Sequence, residues 1–419
     1  MSRITHVTIT PVAFRDPPLL NAVGVHEPYA LRSIIQLRTD DGLVGLGESY
    51  GDAGHLERLR RVGDAIIGLD PFHLHRLREV TARTLGGALG NDTHGLTGHI
   101  SVAGTSLRTF ASFEVALLDL QGKYLGRPVS DLLGGVVRDR VPYSAYLFYK
   151  WAGHPGLDPD EYGEALDPEG VVAQARWMIE RYGFGAIKLK GGVFHPDDEV
   201  DAVLALRDAF PDVPLRLDPN AAWSVETSIR VAHRLEGVLE YLEDPTATRE
   251  AMALVARESP MPLATNMCVV GFEDIPDAVR RASVGVILSD HHYWGGLRAS
   301  GELATLCETF GLGLSMHSNS HLGISLAAMT HLAASVPHLS YALDTHWPWK
   351  SEDVIVPGVL EFVDGAVTVP RAPGLGVEID EGALGRLHEQ YLTCGLTQRD
   401  DTSYMRRFTP DFDPTPPRW

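Results

Sequence analysis

Between residues 184 and 346, short apolar runs end one after another in a polar residue: Lys190, Asp218, Glu243, Asn266, Asp290, His317 and His346. The steps from 190 to 346 are 28, 25, 23, 24, 27 and 29 residues, about the length of one strand plus one helix. Amphipathic stretches fill the six intervals, at 197–210, 227–235, 250–258, 275–282, 297–310 and 323–334, and another, 171–182, precedes the first run. Repeated β–α units of this length predict parallel strands, and seven or eight of them predict a closed barrel. Polar residues at the carboxyl ends of successive barrel strands converge on one pocket. The period is architectural, and no sequence repeat accompanies it.

The first of these runs, Phe184-Gly-Ala-Ile-Lys-Leu-Lys-Gly-Gly192, carries two lysines. Strand alternation sends Lys188 and Lys190 to the same face. Two cations on one face of a buried strand are costly unless anionic groups meet them there.

Upstream the pattern differs. Ile4–Phe14, Ser33–Thr39 and Val44–Ser49 read as an antiparallel meander, with the turn Asp40-Asp41-Gly42 before the third strand. The stretch 17–27 between the first two strands reads as a loop. Residues 54–83 read as helix interrupted at Asp70-Pro71, with His73 and His75 on its surface. Residues 84–106, rich in Gly, Thr, Asn and His, read as a loop or lid, and Arg108–Leu125 as a long helix. These regimes divide the chain into an α+β capping domain (1–140), a TIM-type (β/α) barrel carrying the site (141–355) and a C-terminal segment (356–419). That last segment reads as strand-like and turn-rich, folding back on the capping domain.

Thirty-six basic against 55 acidic residues give a net charge of −19. This argues against nucleic acid or an anionic membrane as the main partner. Three cysteines, at 268, 307 and 394, are too few for a disulfide framework and fit a reducing compartment. No run approaches 18 apolar residues. The expectation is a cytoplasmic enzyme acting on a small molecule.

A carboxylate that ends a strand is as commonly a helix cap as a ligand. Asp218, Glu243 and Asn266 on three successive strands are harder to dismiss, because three oxygen donors around one point make a hard-cation site, which suits Mg²⁺ better than zinc. Asp290 and His317 end neighbouring strands, so the carboxylate can hold the imidazole in one tautomer. His291 and His292 read as supporting residues. His321, four residues after His317, would pair with it on a metal only if both lay on a helix. The set suits proton abstraction next to a carboxylate. Lys190 serves as base, its neutral form favoured by the nearby cations, Lys188 stabilises the developing charge, and His317 acts from the opposite side.

Taken together these residues resemble the glucarate dehydratase family of the enolase superfamily. The resemblance runs from Ala116-Leu-Leu-Asp-Leu-Gln-Gly-Lys123 through Lys188-Leu-Lys190, Asp218-Pro-Asn-Ala-Ala-Trp223, Glu243-Asp-Pro245 and Ala264-Thr-Asn-Met267 to His317-Ser-Asn319, Asp344-Thr-His-Trp347 and Pro373-Gly-Leu-Gly-Val-Glu-Ile-Asp380. It implies Asp218, Glu243 and Asn266 as Mg²⁺ ligands, Lys190 and His317 as the acid/base pair, Asp290 as the orienter of His317, and Lys188 and Asn220 as supports for the intermediate. It further implies substrate contacts from Asn21, His26, Tyr146, Ser318, Asn319, His346 and Arg399. Thr105 is a further expected contact, although its spacing to Leu107-Arg108 departs from the family pattern. The implied reaction is dehydration of D-glucarate, and of its C5 epimer L-idarate, to 5-keto-4-deoxy-D-glucarate. Other acid-sugar dehydratases, and a racemase or epimerase using the same two bases, are the alternatives; an inactive homologue that only binds a partner is a more distant one. A homo-oligomer is expected from the same resemblance.

Overall fold

A computed structural model of the chain describes residues 2–86 and 102–419. The cap begins with an antiparallel sheet in which Tyr29–Thr39 lies between Ile4–Arg15 and Val44–Tyr50. Its register places Val12 and Tyr50 on either side of Arg32. Three helices follow, Ala53–Ala65, Leu74–Leu85 and Val102–Leu125. The expected loop or lid at 84–106 falls largely on residues 87–101, outside the described residues. Its last part, from Val102, is already helix, so Thr105 sits on a helix and not in a loop. The stretch 17–27 also holds more order than its composition suggested. Leu20–Asn21 and Gly24–Val25 pair as a two-residue-per-strand hairpin, and Asn21 Oδ1 accepts from Val23 N within it (2.8 Å).

Seven parallel strands then run in sequence order: Ala145–Phe148, Ile187–Lys190, Leu215–Asp218, Leu239–Glu243, Leu263–Thr265, Val286–Ser289 and Gly313–Met316. Nearly every residue in them is buried, as expected for a parallel sheet covered by helices on its outside. Inward-facing Tyr241, Ala264, Val286 and Leu288 form a small apolar cluster of their own, distinct from the main core between strands and helices.

The run before Asp344, expected as an eighth strand, is irregular, yet it does a strand's work. Ser340 N donates to Leu314 O (3.0 Å) and Asp344 N to Met316 O (3.0 Å) on one side. On the other, Leu343 N donates to Pro142 O (3.0 Å) and Ser144 N to Leu343 O (2.8 Å). Residues 340–344 therefore join the last strand to the start of the first.

The C-terminal segment departs from the strand-like expectation. It contains the helices Glu381–Thr393 and Asp401–Arg406. Asp380 caps the first by accepting from Ala383 N (2.9 Å), and its inward Leu384 and Leu387 are buried. This helix packs on the first cap strand, with His388 Nδ1 2.7 Å from Pro11 O and Gln390 Nε2 donating to Ala13 O (2.9 Å). The short strands of the segment pair elsewhere: Phe362–Val363 with Ala366–Thr368, and the latter with Arg140–Pro142.

Two buried carboxylates on the long cap helix join the layers. Asp119 accepts from Leu46 N (2.8 Å), Leu375 N (2.7 Å) and Lys123 Nζ (2.7 Å). Glu114 accepts from Leu297 N (3.0 Å) and Arg298 N (3.2 Å) at the start of the barrel helix Gly296–Phe310. A side chain at Gly296 would strike that carboxylate. Burial pushes the Glu114 carboxyl up to about 7. No helix among the described residues is long and apolar enough to cross a membrane.

Candidate active site

The lysine strand meets its counter-charges as the alternation required. In the sheet Lys188 stands opposite Arg216 and Lys190 opposite Asp218. Lys190 Nζ donates to Asp218 Oδ2 (2.6 Å) and Asn220 Oδ1 (2.7 Å). Lys188 is fully buried, 2.6 Å from Glu243 Oε2, 2.8 Å from Asp344 Oδ2 and 3.7 Å from Asp218 Oδ2, with Nζ 4.7 Å above the Tyr146 ring. Burial alone would depress its pKa. Asp344 and Glu243 outweigh burial and raise it well above the usual range, so Lys188 is a fixed cation.

Asp218 and Glu243 share this environment with opposite outcomes. Burial raises both. At Asp218 the two lysines outweigh burial and lower the carboxyl, whereas at Glu243 burial and the Asp218 charge prevail and raise it well above the usual range. Lys188 is close to Glu243, but neither Glu243 oxygen receives an aligned hydrogen bond. A buried carboxylate without donors beside a second carboxylate calls for a cation. Asn266 follows the next strand, and its backbone is fixed by donation to Asp244 Oδ2 (2.8 Å). Asp244 also accepts from Thr265 Oγ1 (2.5 Å); burial, with the Asp218 charge added, pushes its carboxyl up to about 7.

The Asp218 loop is held in a strained shape. Asn220 (φ 55°), Ala221 (φ 61°) and Asp244 (φ 35°) all occupy left-handed backbone, which costs energy for residues with a Cβ. Donation from Ala221 N to Asp244 O (2.6 Å), Trp223 N to Pro245 O (3.1 Å) and Arg418 N to Ala222 O (2.7 Å) holds it there. Arg418 Nη1 also reaches Gly192 O (3.0 Å), in the loop after Lys190.

Across the barrel, His317 Nδ1 lies 3.3 Å from Asp290 Oδ2. Burial would raise Asp290, but His292 and the His317 bond outweigh it and hold the carboxyl well below the usual range. His317 and His321 lie in irregular chain, so the helical spacing that a shared metal would need is absent. Ser318 Oγ is 3.5 Å from His346 Nδ1, and Asn319 Nδ2 donates to the hydroxyls of Tyr50 (3.1 Å) and Tyr293 (2.9 Å). His346 meets the Tyr146 ring edge-on at 5.0 Å; burial, reinforced by His26, depresses its pKa well below the usual range.

The cap-side residues reach the same region through Phe148, whose ring is 5.8 Å from His26, 5.4 Å from His346 and 4.7 Å from Tyr146. His26 Nδ1 lies 3.0 Å from Asp16 Oδ2, and its buried Nε2 has no partner. Arg399 grips Asp401 with two nitrogens (2.9 and 2.7 Å), and Asn21 Nδ2 donates to the same carboxylate (3.2 Å). Thr105 is buried in the first turns of the long cap helix.

Sequence reasoning did not single out Asp16, Asp344, Asp401, Asp244 or the cap residues Arg32, Glu48 and Tyr50. Asp344 and Asp244 do lie within motifs quoted above, and a charge count around Lys188 and Arg399 would have pointed to Asp344 and Asp401. Arg32 carried no local mark, because its partners are 16 and 260 residues away.

The chain matches the model of the mandelate racemase/muconate lactonizing enzyme N-terminal domain over residues 4–134 and that of the enolase C-terminal domain-like family over 170–383. It is 52% identical, over 99% of both chains, to a protein of Streptomyces coelicolor named "Probable glucarate dehydratase". It is 29% identical to a chloromuconate cycloisomerase of Cupriavidus pinatubonensis, over 84% of this chain and 90% of that one. Among solved structures, an enolase from Thermobispora bispora complexed with magnesium and formate superposes with a TM-score of 0.98 at 62% identity, covering 100% of each chain. Another, from Pseudomonas fluorescens with bound magnesium, potassium and tartrate, gives 0.96 at 53% identity over 100% of this chain and 99% of that one. The chain belongs to the glucarate dehydratase family of the enolase superfamily.

Proposed function

We propose that this protein is a Mg²⁺-dependent acid-sugar dehydratase, converting D-glucarate and L-idarate to 5-keto-4-deoxy-D-glucarate. The observation that carries the reading is the opposition of two proton-transfer groups across one barrel mouth, Lys190 beside Asp218 and Asn220, and His317 on Asp290. Asp218, Glu243 and Asn266 suit the cation: all three offer oxygen, and Glu243 is buried with no aligned donor. A bound Mg²⁺ supplies Lewis-acid stabilisation of the second negative charge that develops on the substrate carboxylate when its α-proton leaves.

The protein's own groups do the rest. Lys188, held as a cation, places a fixed positive charge at the same carboxylate. Lys190 in its neutral form takes the C5 proton, and Asn220 holds its nitrogen in place. His317 delivers the proton that lets the C4 hydroxyl leave as water, with Asp290 keeping the imidazole oriented. His317 faces the α-carbon from the side opposite Lys190, so it removes the α-proton of whichever C5 epimer presents it there. Tyr146, Ser318, Asn319 and His346 line the middle of the substrate. Asn21, His26 and Arg399 serve the end remote from the cation, where a second carboxylate finds donors, and Thr105 on the cap helix is a further contact.

Purified protein with Mg²⁺ and either diacid should form a ketone product, absent when Mg²⁺ is chelated. An epimerase or racemase with the same two bases would interconvert the diacids without forming ketone, and that outcome would replace the dehydratase reading.

A further inference from the structure

The His317 side of the site does not end at Asp290. Asp290 Oδ1 accepts from both His292 N (2.9 Å) and His292 Nδ1 (2.9 Å), leaving Oδ2 for His317 Nδ1. The far nitrogen of His292 faces the cap, with Nε2 3.2 Å from Arg32 Nη2 and 3.1 Å from Ser325 Oγ. Arg32 is itself pinned, with Nε donating to Glu48 Oε1 (2.8 Å) and its guanidinium 4.5 Å over the Tyr50 ring. Glu48 also accepts from Leu322 N and Ser325 N, both at 2.8 Å, at the start of the barrel helix Gly323–Ser335. Arg32, His292 and Asp290 are at most 5% exposed.

A guanidinium has only donors. A nitrogen facing it must accept, so His292 is a neutral imidazole carrying its proton on Nδ1, and that proton can go only to Asp290 Oδ1. With Oδ1 engaged twice, Oδ2 accepts the Nδ1 proton of His317 and leaves His317 Nε2 free toward the substrate. Asp290, His291 and His292 also offer three ligand atoms within 4.8 Å of one another. A metal on His292 Nε2 would displace Arg32 and face its charge, which rules against that use. The remaining groups around the chain are the His291 ring, 4.0 Å from His292, Tyr50, 5.7 Å from it, and the buried His321 and His346. His291 and His321 are both depressed well below the usual range by burial, and none of these rings supplies a competing cation.

We propose that Arg32 and His292 are positioning residues for the acid/base histidine: the cap guanidinium fixes the tautomer of His292, which fixes the orientation of Asp290 and hence the tautomer of His317. The inference rests on the acid/base role of His317 given above, and it makes a correctly seated cap a condition for a working barrel residue.

Two replacements of His292 separate this from simple packing. In His292→Asn the amide nitrogen occupies the Nδ1 position and can still donate to Asp290. In His292→Gln the amide reaches toward Arg32 and the donor to Asp290 is lost. The expected result is a kcat for acid-sugar dehydration within about threefold of wild type for H292N, and roughly 10- to 100-fold lower for H292Q, with KM nearly constant in both. Nitrogen-15 NMR of histidine-labelled protein, assigned by the peaks missing in H292Q and H317N, should show Nδ1–H tautomers at 292 and 317 in wild type. It should show a mixed tautomer at 317 in H292Q and in R32M, with recovery in R32K. Equal kcat losses in H292N and H292Q, a loss carried by KM, or an unaltered His317 tautomer in H292Q would overturn the proposal. If wild-type protein turns over no acid sugar, the activity reading fails, and the tautomer spectra still decide this one.

Discussion

Glu243 Oε2 lies 2.6 Å from Lys188 Nζ, yet neither oxygen of Glu243 accepts an aligned hydrogen bond. The pair is close in charge and poor in geometry, so the carboxylate retains lone pairs that nothing in the protein uses. Replacing it by Gln removes the charge with little change in volume. Loss of a supporting partner around a metal costs 10- to 100-fold in affinity, so loss of a ligand should cost more than about 100-fold. Calorimetric titration of Glu243→Gln with Mg²⁺ checks this, and an affinity equal to wild type would remove Glu243 from the ligand set.

Lys188 balances three carboxylates. Replacing it by Met leaves them buried with one cation fewer, and breaking such a pair from one side costs about 3–5 kcal/mol. Urea unfolding of Lys188→Met should show a loss of that order. Because the folded pKa of Lys188 is raised, its contribution is full below the unfolded value and is lost only as pH rises through the higher folded value. The difference from wild type should therefore be flat from pH 6 to 9.

Lys190 and His317 face the substrate from opposite sides, so single variants should separate the two epimers. Lys190→Met should lose dehydration of the diacid whose α-proton faces the lysine, and His317→Asn dehydration of both diacids, each by at least about 100-fold. Each should still exchange the α-proton of one diacid with solvent deuterium, and not the same one. Exchange lost from both diacids in either variant would contradict the two-base arrangement.

His331 offers a test of stability away from the site. Its Nδ1 accepts from Ser130 N (3.2 Å), so Nε2 carries the proton toward Leu375 O (3.0 Å). Burial depresses its pKa to about 4. A depressed histidine stabilises the fold above its unfolded value, near 6.5, and that contribution disappears as pH falls through the folded value. The span corresponds to about 3 kcal/mol. His331→Gln should be less stable than wild type at pH 7, and the gap should narrow steadily toward pH 4.

The barrel was legible because its strands are short, apolar and evenly spaced, and because each ends in a residue whose chemistry is out of place in a core. Lys188 and Lys190 could be put on one face by alternation alone, and the partners they required were found on the next strands. What stayed hidden depended on distant chain. Residues 340–344 close the barrel by hydrogen bonding on both sides without strand geometry, which no local pattern announces. The Glu381–Thr393 helix was masked by the turn-rich sequence before it, although Asp380 and the Leu384–Leu387 spacing mark its start. Arg32 looks like an ordinary strand residue until the fold places it against His292.

The account turns on proton removal beside a carboxylate followed by loss of water. The most direct measurement is proton NMR of D-glucarate with the protein and Mg²⁺ in D₂O, with galactarate in a parallel tube. The account predicts a keto-deoxy product from glucarate, carrying one solvent deuteron in its new C4 methylene, and none from galactarate. Glucarate that keeps its proton and yields no product, in protein shown to bind Mg²⁺, would contradict it.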